Sequence, residues 1–436
     1  MGRLKQFWTD LRSSLWFLPG LIVAAFVAAA FELIAVDQRI GTAWAERWPR
    51  IFAADAEGSR AMLSAIAGSM ITIAGVGFSI TIVALAQAST QYSPRVLRNF
   101  MRDRSNQVVL GMFVGVFAYC LVVLRNIVSG TDGEFVPALA VFIGFLLSIV
   151  GVGSLIYFIH HIATSIQASH MLASITAETI TALERTCRET ATNAAPQKSE
   201  PPGEDWFPLV SDTTGYLQRI EVKDLVALAC KNDITIKMAE GVGQFVIQDQ
   251  PFAWASRKPA ESVVVAVNNC CAVGEYRTVD QDAGFGIRQI VDIALKALSP
   301  GINDTGTAIS CLDYLSAILC RMANMEFEPL KHYADGKLRL VVQRRSFADF
   351  VNDAFDQILE NATKNKAVLL HAVSVLERLS NVTQIERRRG CLQPHLQSVR
   401  ELCANVVPSS AKEEIEKRVD EVSKDIMARN DASAHS

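Results

Sequence analysis

No charged side chain occurs between Arg60 and Arg95. At a rise of ~1.5 Å per residue that run reaches ~50 Å as a helix, against a bilayer hydrocarbon core of ~30 Å. The stretch is long enough to cross a membrane and project beyond it. Its small and polar residues are ordered. Ser64, Gly68, Thr72, Gly75, Ser79, Ala86 and Thr90 recur at intervals of three, four or seven, which aligns them along one stripe of a helix. Ile66, Met70, Ile73, Ile80 and Leu85 lie off that stripe. A small, hydroxyl-bearing face on a membrane helix serves either close packing against another helix or a water-filled path. The pattern alone leaves both open.

Three further apolar runs accompany it: Leu15–Val36, Val108–Leu124 and Pro137–Ile162, with the long run read as Ala61–Ser89. Each meets the length of a spanning helix, Val108–Leu124 only just. The first is too long for the apolar core of a signal peptide and lacks a plausible cleavage site, so it reads as a retained span. Arg3, Lys5 and Arg12 precede the first span, and Arg95, Arg98, Arg102 and Arg104 crowd the loop between the second and third. The positive-inside rule then places both termini in the cytoplasm, in the inner (plasma) membrane of a bacterial-looking layout. Pro94 suits the first turn of a helix that puts Arg95, Arg98 and Arg102 on one face. That face is an anchor for anionic lipid headgroups or, in an oligomer, a positive ring at a pore mouth. Glu32 and the pair His160–His161 lie near span ends, where an interfacial position explains them. The spans carry no series of acids and histidines that would relay protons.

The net formal charge of −3 gives no basic surface for nucleic acid. Nine cysteines occur without a C-x-x-C pair or zinc-site spacing, which fits reduced core thiols and no metal or other cofactor.

After the fourth span the helical pattern continues through about Thr190 as a stalk, and Asn193–Asp205 reads as a linker. Residues 206–258 alternate like a small β-rich module and resemble the half-motifs of barrel-sandwich hybrid domains, without their carrier lysine. Residues 259–436 read as mainly helical. The chain is thus an α-helical membrane protein with four transmembrane helices over 1–163, a stalk and linker over 164–205, and a mixed α/β, mostly helical cytosolic part. Ser346 is a helix cap, Arg387–Arg389 a solvated turn, and Asn430–Ser436 a frayed end.

The most distinctive soluble stretch runs from Glu275 to Ala308. Ile287, Ile290, Val291, Ala294, Leu295 and Leu298 make an amphipathic helix, which Ser299-Pro300-Gly301 stops. Asn303 or Asp304 caps the next helix. Arg277, Asp280, Asp282, Arg288 and Asp292 lie close by in sequence. Arg288, Asp292, Ser299, Gly301, Asn303 and Asp304 form either a capped helix–turn–helix with surface ion pairs or a ligand or subunit-contact turn.

At this point the chain resembles a bacterial predicted-membrane-protein family, domain of unknown function 2254. The resemblance rests on Ser14-Leu-Trp-Phe-Leu-Pro19, Gly68-Ser-Met70, Val83 through Arg95, Gly215-Tyr-Leu217, and Phe285-Gly-Ile287 through Asp304. Thr305 stands where the family usually has proline. The resemblance implies four spans and a cytosolic domain, and no activity.

No G-x-S-x-G elbow, Walker A loop or HExxH helix is present, so an enzyme is the least supported class. The leading expectation is a homo-oligomeric channel whose second span lines the axis. The rival is a membrane-anchored sensor or scaffold whose turn at Ser299–Thr307 binds a ligand or partner.

Overall fold

Four helices in the first part of the chain are long and apolar enough to cross a membrane. They are α1 (Phe17–Ile40), α2 (Ala56–Gln91), α3 (Arg104–Arg125) and α4 (Ala138–Ser165). The computed structural model describes residues 16–40, 56–91, 104–128, 135–165, 167–188, 206–327, 329–405 and 409–434. All four expected spans are present, and each helix runs past its apolar core into polar flanks such as Arg39, Arg104 and Arg125. The chain divides into two units, Phe7–Gln167 and one that holds Ala168–Ser436.

Lipid tails are as apolar as leucine, so helices in a bilayer associate through close packing rather than through the hydrophobic effect. In the first unit glycines provide that closeness. Gly111 and Gly115 form a G-x-x-x-G pair on α3. A Cβ on Gly111 would lie 2.9 Å from the Pro19 backbone, and one on Gly115 would lie 2.9 Å from the Phe26 ring. On α4, a Cβ at Gly144 would meet Leu63 at 3.0 Å, and one at Gly151 would meet Met70 at 3.0 Å. Helix α2 turns Leu63, Ala67, Met70 and Ala74 toward these neighbours, and all four are buried. Phe113, Val116 and Tyr119 fill the centre.

One end of this unit is tied by polar bonds. The Asp37 carboxylate, near the end of α1, accepts the amides of Leu139 at 3.2 Å and Ala140 at 3.1 Å. These are orphan donors at the start of α4, and a carboxylate there also meets the positive end of the helix dipole. The Tyr119 hydroxyl donates to the Ala140 carbonyl at 2.7 Å, and Arg60 donates to the Ile127 carbonyl at 2.7 Å. Asp37 is buried, whereas Glu32, the acid singled out in the sequence, is exposed.

The second unit holds α5 (Ala168–Thr186), in the stretch expected to form the stalk. Its strands are β1 (Cys187–Arg188), β2 (Phe207–Val210), β3 (Gly215–Ile220), β4 (Ile236–Met238), β5 (Phe245–Val246), β6 (Pro251–Ala255), β7 (Cys271–Gly274), β8 (Glu326–Phe327), β9 (Lys331–Ala334) and β10 (Lys337–Val341). A five-stranded sheet has the order β2-β6-β4-β10-β9, and a three-stranded sheet the order β5-β3-β7. The β4–β10 pair is parallel, with Leu340 opposite Ile236. Strands from outside 206–258 therefore complete both sheets, so that module is not closed by its own strands. Helices α6 (Val222–Lys231) and α7 (Glu261–Asn269) accompany them.

The predicted amphipathic helix is α8 (Ala283–Ala297), and its successor is α9 (Thr305–Met322). Ile287, Ile290, Val291, Ile293 and Ala294 of α8 are buried. The absence of a side chain at Gly286 lets the Thr179 hydroxyl of α5 reach the α8 backbone surface. Helices α10 (Phe347–Asn361), α11 (Lys366–Val382), α12 (Glu386–Gly390), α13 (Gln393–Leu402) and α14 (Ser409–Ala434) close the chain. Ser346 caps α10 in a reciprocal box with Asp349.

Two expectations for this region are corrected. Arg387–Arg389 lies in the short helix α12, where Arg387 is exposed as expected but Arg388 and Arg389 are not solvated. Arg388 Nη1 donates to the carbonyls of Met322, Ala323 and Met325, at the end of α9, at 3.2, 2.8 and 2.9 Å. Arg389 is buried and donates to the Thr383 carbonyl from Nε and Nη2. Nor does the chain leave its helix at Asn430: α14 continues to Ala434, and the Asn430 side chain accepts from Arg389 Nη1 at 3.0 Å, while His435 and Ser436 lie outside the described residues. Orphan carbonyls at helix ends attract such cations, which a tripeptide of arginines does not reveal.

Candidate functional site

Helix α2 carries two faces of opposite character. The inward face holds Leu63, Ala67, Met70 and Ala74. The other face holds Ser64, Gly68, Thr72, Gly75, Ser79 and Ala86, and each of these is exposed on the four-helix unit. A Cβ on Gly68 or on Gly75 would meet nothing within 4 Å. Gly77, off the stripe, is the packed glycine of α2, where a Cβ would sit 3.3 Å from the Phe158 ring. The stripe thus runs along one side of α2 and does not pack against the other described helices of its unit. The Thr72 hydroxyl donates to the Gly68 carbonyl at 2.8 Å, so it is satisfied without a partner outside its own helix. The side chain of Thr90, and all of Arg95, Arg98 and Arg102, lie outside the described residues.

The residues of the turn do not converge as a single cluster. Arg288 pairs with Asp292 one turn later at 2.8 Å and donates to Gln357 of α10 at 2.8 Å. At ~1.5 Å per residue, Arg288 stands ~16 Å along the helix from Ser299. Ser299 donates its hydroxyl to the Lys296 carbonyl, and its own carbonyl accepts the amides of Ile302 and Asn303. Asn303 takes a left-handed φ of 47°, which asparagine tolerates. Asp304 is the cap of α9, accepting the Thr307 amide at 3.0 Å and hydroxyl at 2.6 Å. Those hydrogen bonds, the hydroxyl first, hold its carboxyl below the usual carboxylate range. Thr305, at the position of the family's proline, accepts from the Asn365 amide at 2.7 Å and so ties the turn to α11.

A more buried polar group sits at the other end of α8. Asp282 caps that helix through the Phe285 amide at 3.1 Å and takes Arg277 through Nε at 2.9 Å and Nη2 at 2.7 Å. Burial pushes the Asp282 carboxyl up, against the opposing pull of Arg277. Asp280 points elsewhere, to Arg185 at 3.2 Å. The sequence brought these residues to notice but not the division of labour between them. It did not single out Asp37 or Tyr119. The G-x-x-x-G spacing of Gly111 and Gly115 was a readable signal for the α1–α3 contact.

Two uncharacterized relatives, one from Mycobacterium bovis and one from Mycobacterium tuberculosis, are each 31% identical over 403 residues. In each case the match covers 90% of this chain and 75% of the relative. No solved structure matches. A family model described as a predicted membrane protein matches residues 12–378, and the chain belongs to that family, domain of unknown function 2254.

Proposed function

We propose that the chain assembles with copies of itself in the bacterial inner membrane through the outward stripe of α2, and that this stripe lines the axis of a channel-like permeation protein. The observation that supports this reading is the position of Ser64, Gly68, Thr72, Gly75, Ser79 and Ala86. All face away from the other described helices of their unit, and a Cβ on either stripe glycine would meet nothing within 4 Å. Glycine costs a helix ~1 kcal/mol relative to alanine, so two uncovered glycines on one face are explained by a neighbour that needs close approach. Hydroxyls on the same line suit a surface that is packed at one level and wet at another. Both termini are cytoplasmic in this reading, and the C-terminal unit forms the vestibule or gate. No chemical step is required of it.

Reconstitution into bilayers tests the reading. Conductance that changes in Ser79→Ala at unchanged oligomer yield supports it. A monomer with no conductance under voltage, tension or added ligand contradicts it. The second reading, a membrane-anchored sensor or scaffold, is favoured by Ile302. This apolar side chain is 44% exposed, between Gly301 and the left-handed Asn303, on the turn before α9. A stoichiometric partner lost in Ile302→Ser would select that reading.

A further inference from the structure

Asp233 lies just beyond the end of α6 and holds a left-handed φ of 47°. In that conformation its carboxylate meets cations from two other segments. Oδ1 accepts from Arg339 Nη1 at 2.9 Å and from Lys337 Nζ at 3.0 Å, both on β10. Oδ2 accepts from Arg257 Nη1, just after β6, at 3.3 Å. Three positive charges share one negative charge. The negative end of the α6 dipole offsets roughly half a charge more, so the cluster keeps an excess of more than one positive charge. The hydrogen bonds of Lys337 and Arg339 hold the Asp233 carboxyl down at about 2, so it is already fully ionised at neutral pH.

Arg339 sharpens the imbalance. It is only 6% exposed, and its Nε is buried with no hydrogen-bond partner. A buried guanidinium is costly unless its charge is compensated. Among the described residues, the carboxylate that pairs with it is one it shares with two competitors. Lys337 and Arg257 are open to solvent, at 62% and 69% side-chain exposure, and exposed Lys258 follows directly. A surface ion-pair network that served stability alone would gain little from such an excess.

We propose that Arg257, Lys337 and Arg339, gathered around Asp233, form a binding site for a phosphate-class oxyanion that seats against the exposed heads of Arg257 and Lys337. A phosphate dianion supplies the negative charge that Asp233 alone does not. Guanidinium and ammonium donors are suited to its oxygens. The same chemistry is offered by a free phosphate compound and by the phosphate of a lipid headgroup.

The test is calorimetric titration of inorganic pyrophosphate into the full chain in nanodiscs of neutral phosphatidylcholine. Saturable binding is expected. Arg257→Gln with Lys337→Gln, both at exposed positions where folding is spared, weakens it by roughly tenfold or more through loss of two charge-assisted contacts. Asp233→Asn tightens it, because the competing carboxylate is gone. Nanodiscs containing phosphatidylglycerol separate the two sources. A drop in pyrophosphate affinity that the double variant does not share identifies the lipid headgroup, and an unchanged affinity identifies a free compound. Absence of binding up to about 1 mM, the weak limit of a useful affinity, overturns the proposal. So does binding that neither the double variant nor Asp233→Asn alters.

Discussion

The Asp37 carboxylate and the Ala140 amide lie 3.1 Å apart, joining the end of the first span to the start of the fourth. The contact spans 103 residues of sequence, and Tyr119 of the third span closes on the Ala140 carbonyl. Three helices therefore meet at one residue, Ala140. Asp37→Ala leaves two amides at the start of α4 without their acceptor and costs about 1–3 kcal/mol. Tyr119→Phe removes a single neutral bond and costs about 1 kcal/mol. Thermal unfolding of the purified protein in one detergent ranks the two, and a larger loss in Tyr119→Phe would show that the carboxylate is not the main tie.

The G-x-x-x-G pair on α3 makes a second, steric prediction. A Cβ at Gly115 would already press on the Phe26 ring at 2.9 Å, so Gly115→Leu forces α1 and α3 apart. The expected result is loss of folded protomer, read as aggregation on size exclusion and reduced yield. Recovery of normal, monodisperse protein would mean that α1 is not held where the packing places it.

His395 gives a pH dependence for the second unit. It is buried against Phe355, with Nδ1 3.2 Å from Asp356 and Nε2 3.2 Å from Asn352. Burial lowers its pKa below the ordinary 6.5, against the pull of Asp356. The unfolded chain then takes up the proton at a higher pH than the folded chain. Stability is fully present above about 6.5 and falls as pH drops through the lowered folded value. Asp356, raised by burial, acts with the opposite sign in the more acidic window above 3.8. Melting temperatures from pH 8 to 5.5 should decline, and His395→Gln should flatten the decline. An unchanged slope in that variant would place the titrating group elsewhere.

Where sequence and structure agree, the signal was carried by local periodicity. The four spans, the α8 face from Ile287 to Ala294 and the Ser346 cap are set within one or two turns of chain. The features that were not legible depend on partners far away in sequence. Asp37 lies beyond an apolar run and gains its role from amides at 139 and 140. Arg388 and Arg389 read as solvated because the carbonyls they satisfy belong to α9 and to Thr383. The β-rich module lacked β10, which enters from about a hundred residues downstream to pair with β4. The α2 stripe was legible as a pattern, but only the packed helices show that it is turned away from the other described helices of its unit.

The central claim concerns Gly75. A Cβ there meets nothing within 4 Å among the described residues, so Gly75→Leu should fold normally. It should nevertheless break assembly, because the copies can no longer approach along that face. The direct measurement is the native mass of wild type and Gly75→Leu in the same mild detergent. The account predicts an oligomer for wild type and a folded protomer for the variant. An oligomer of unchanged mass and yield in Gly75→Leu, or a monomeric wild type, would contradict it.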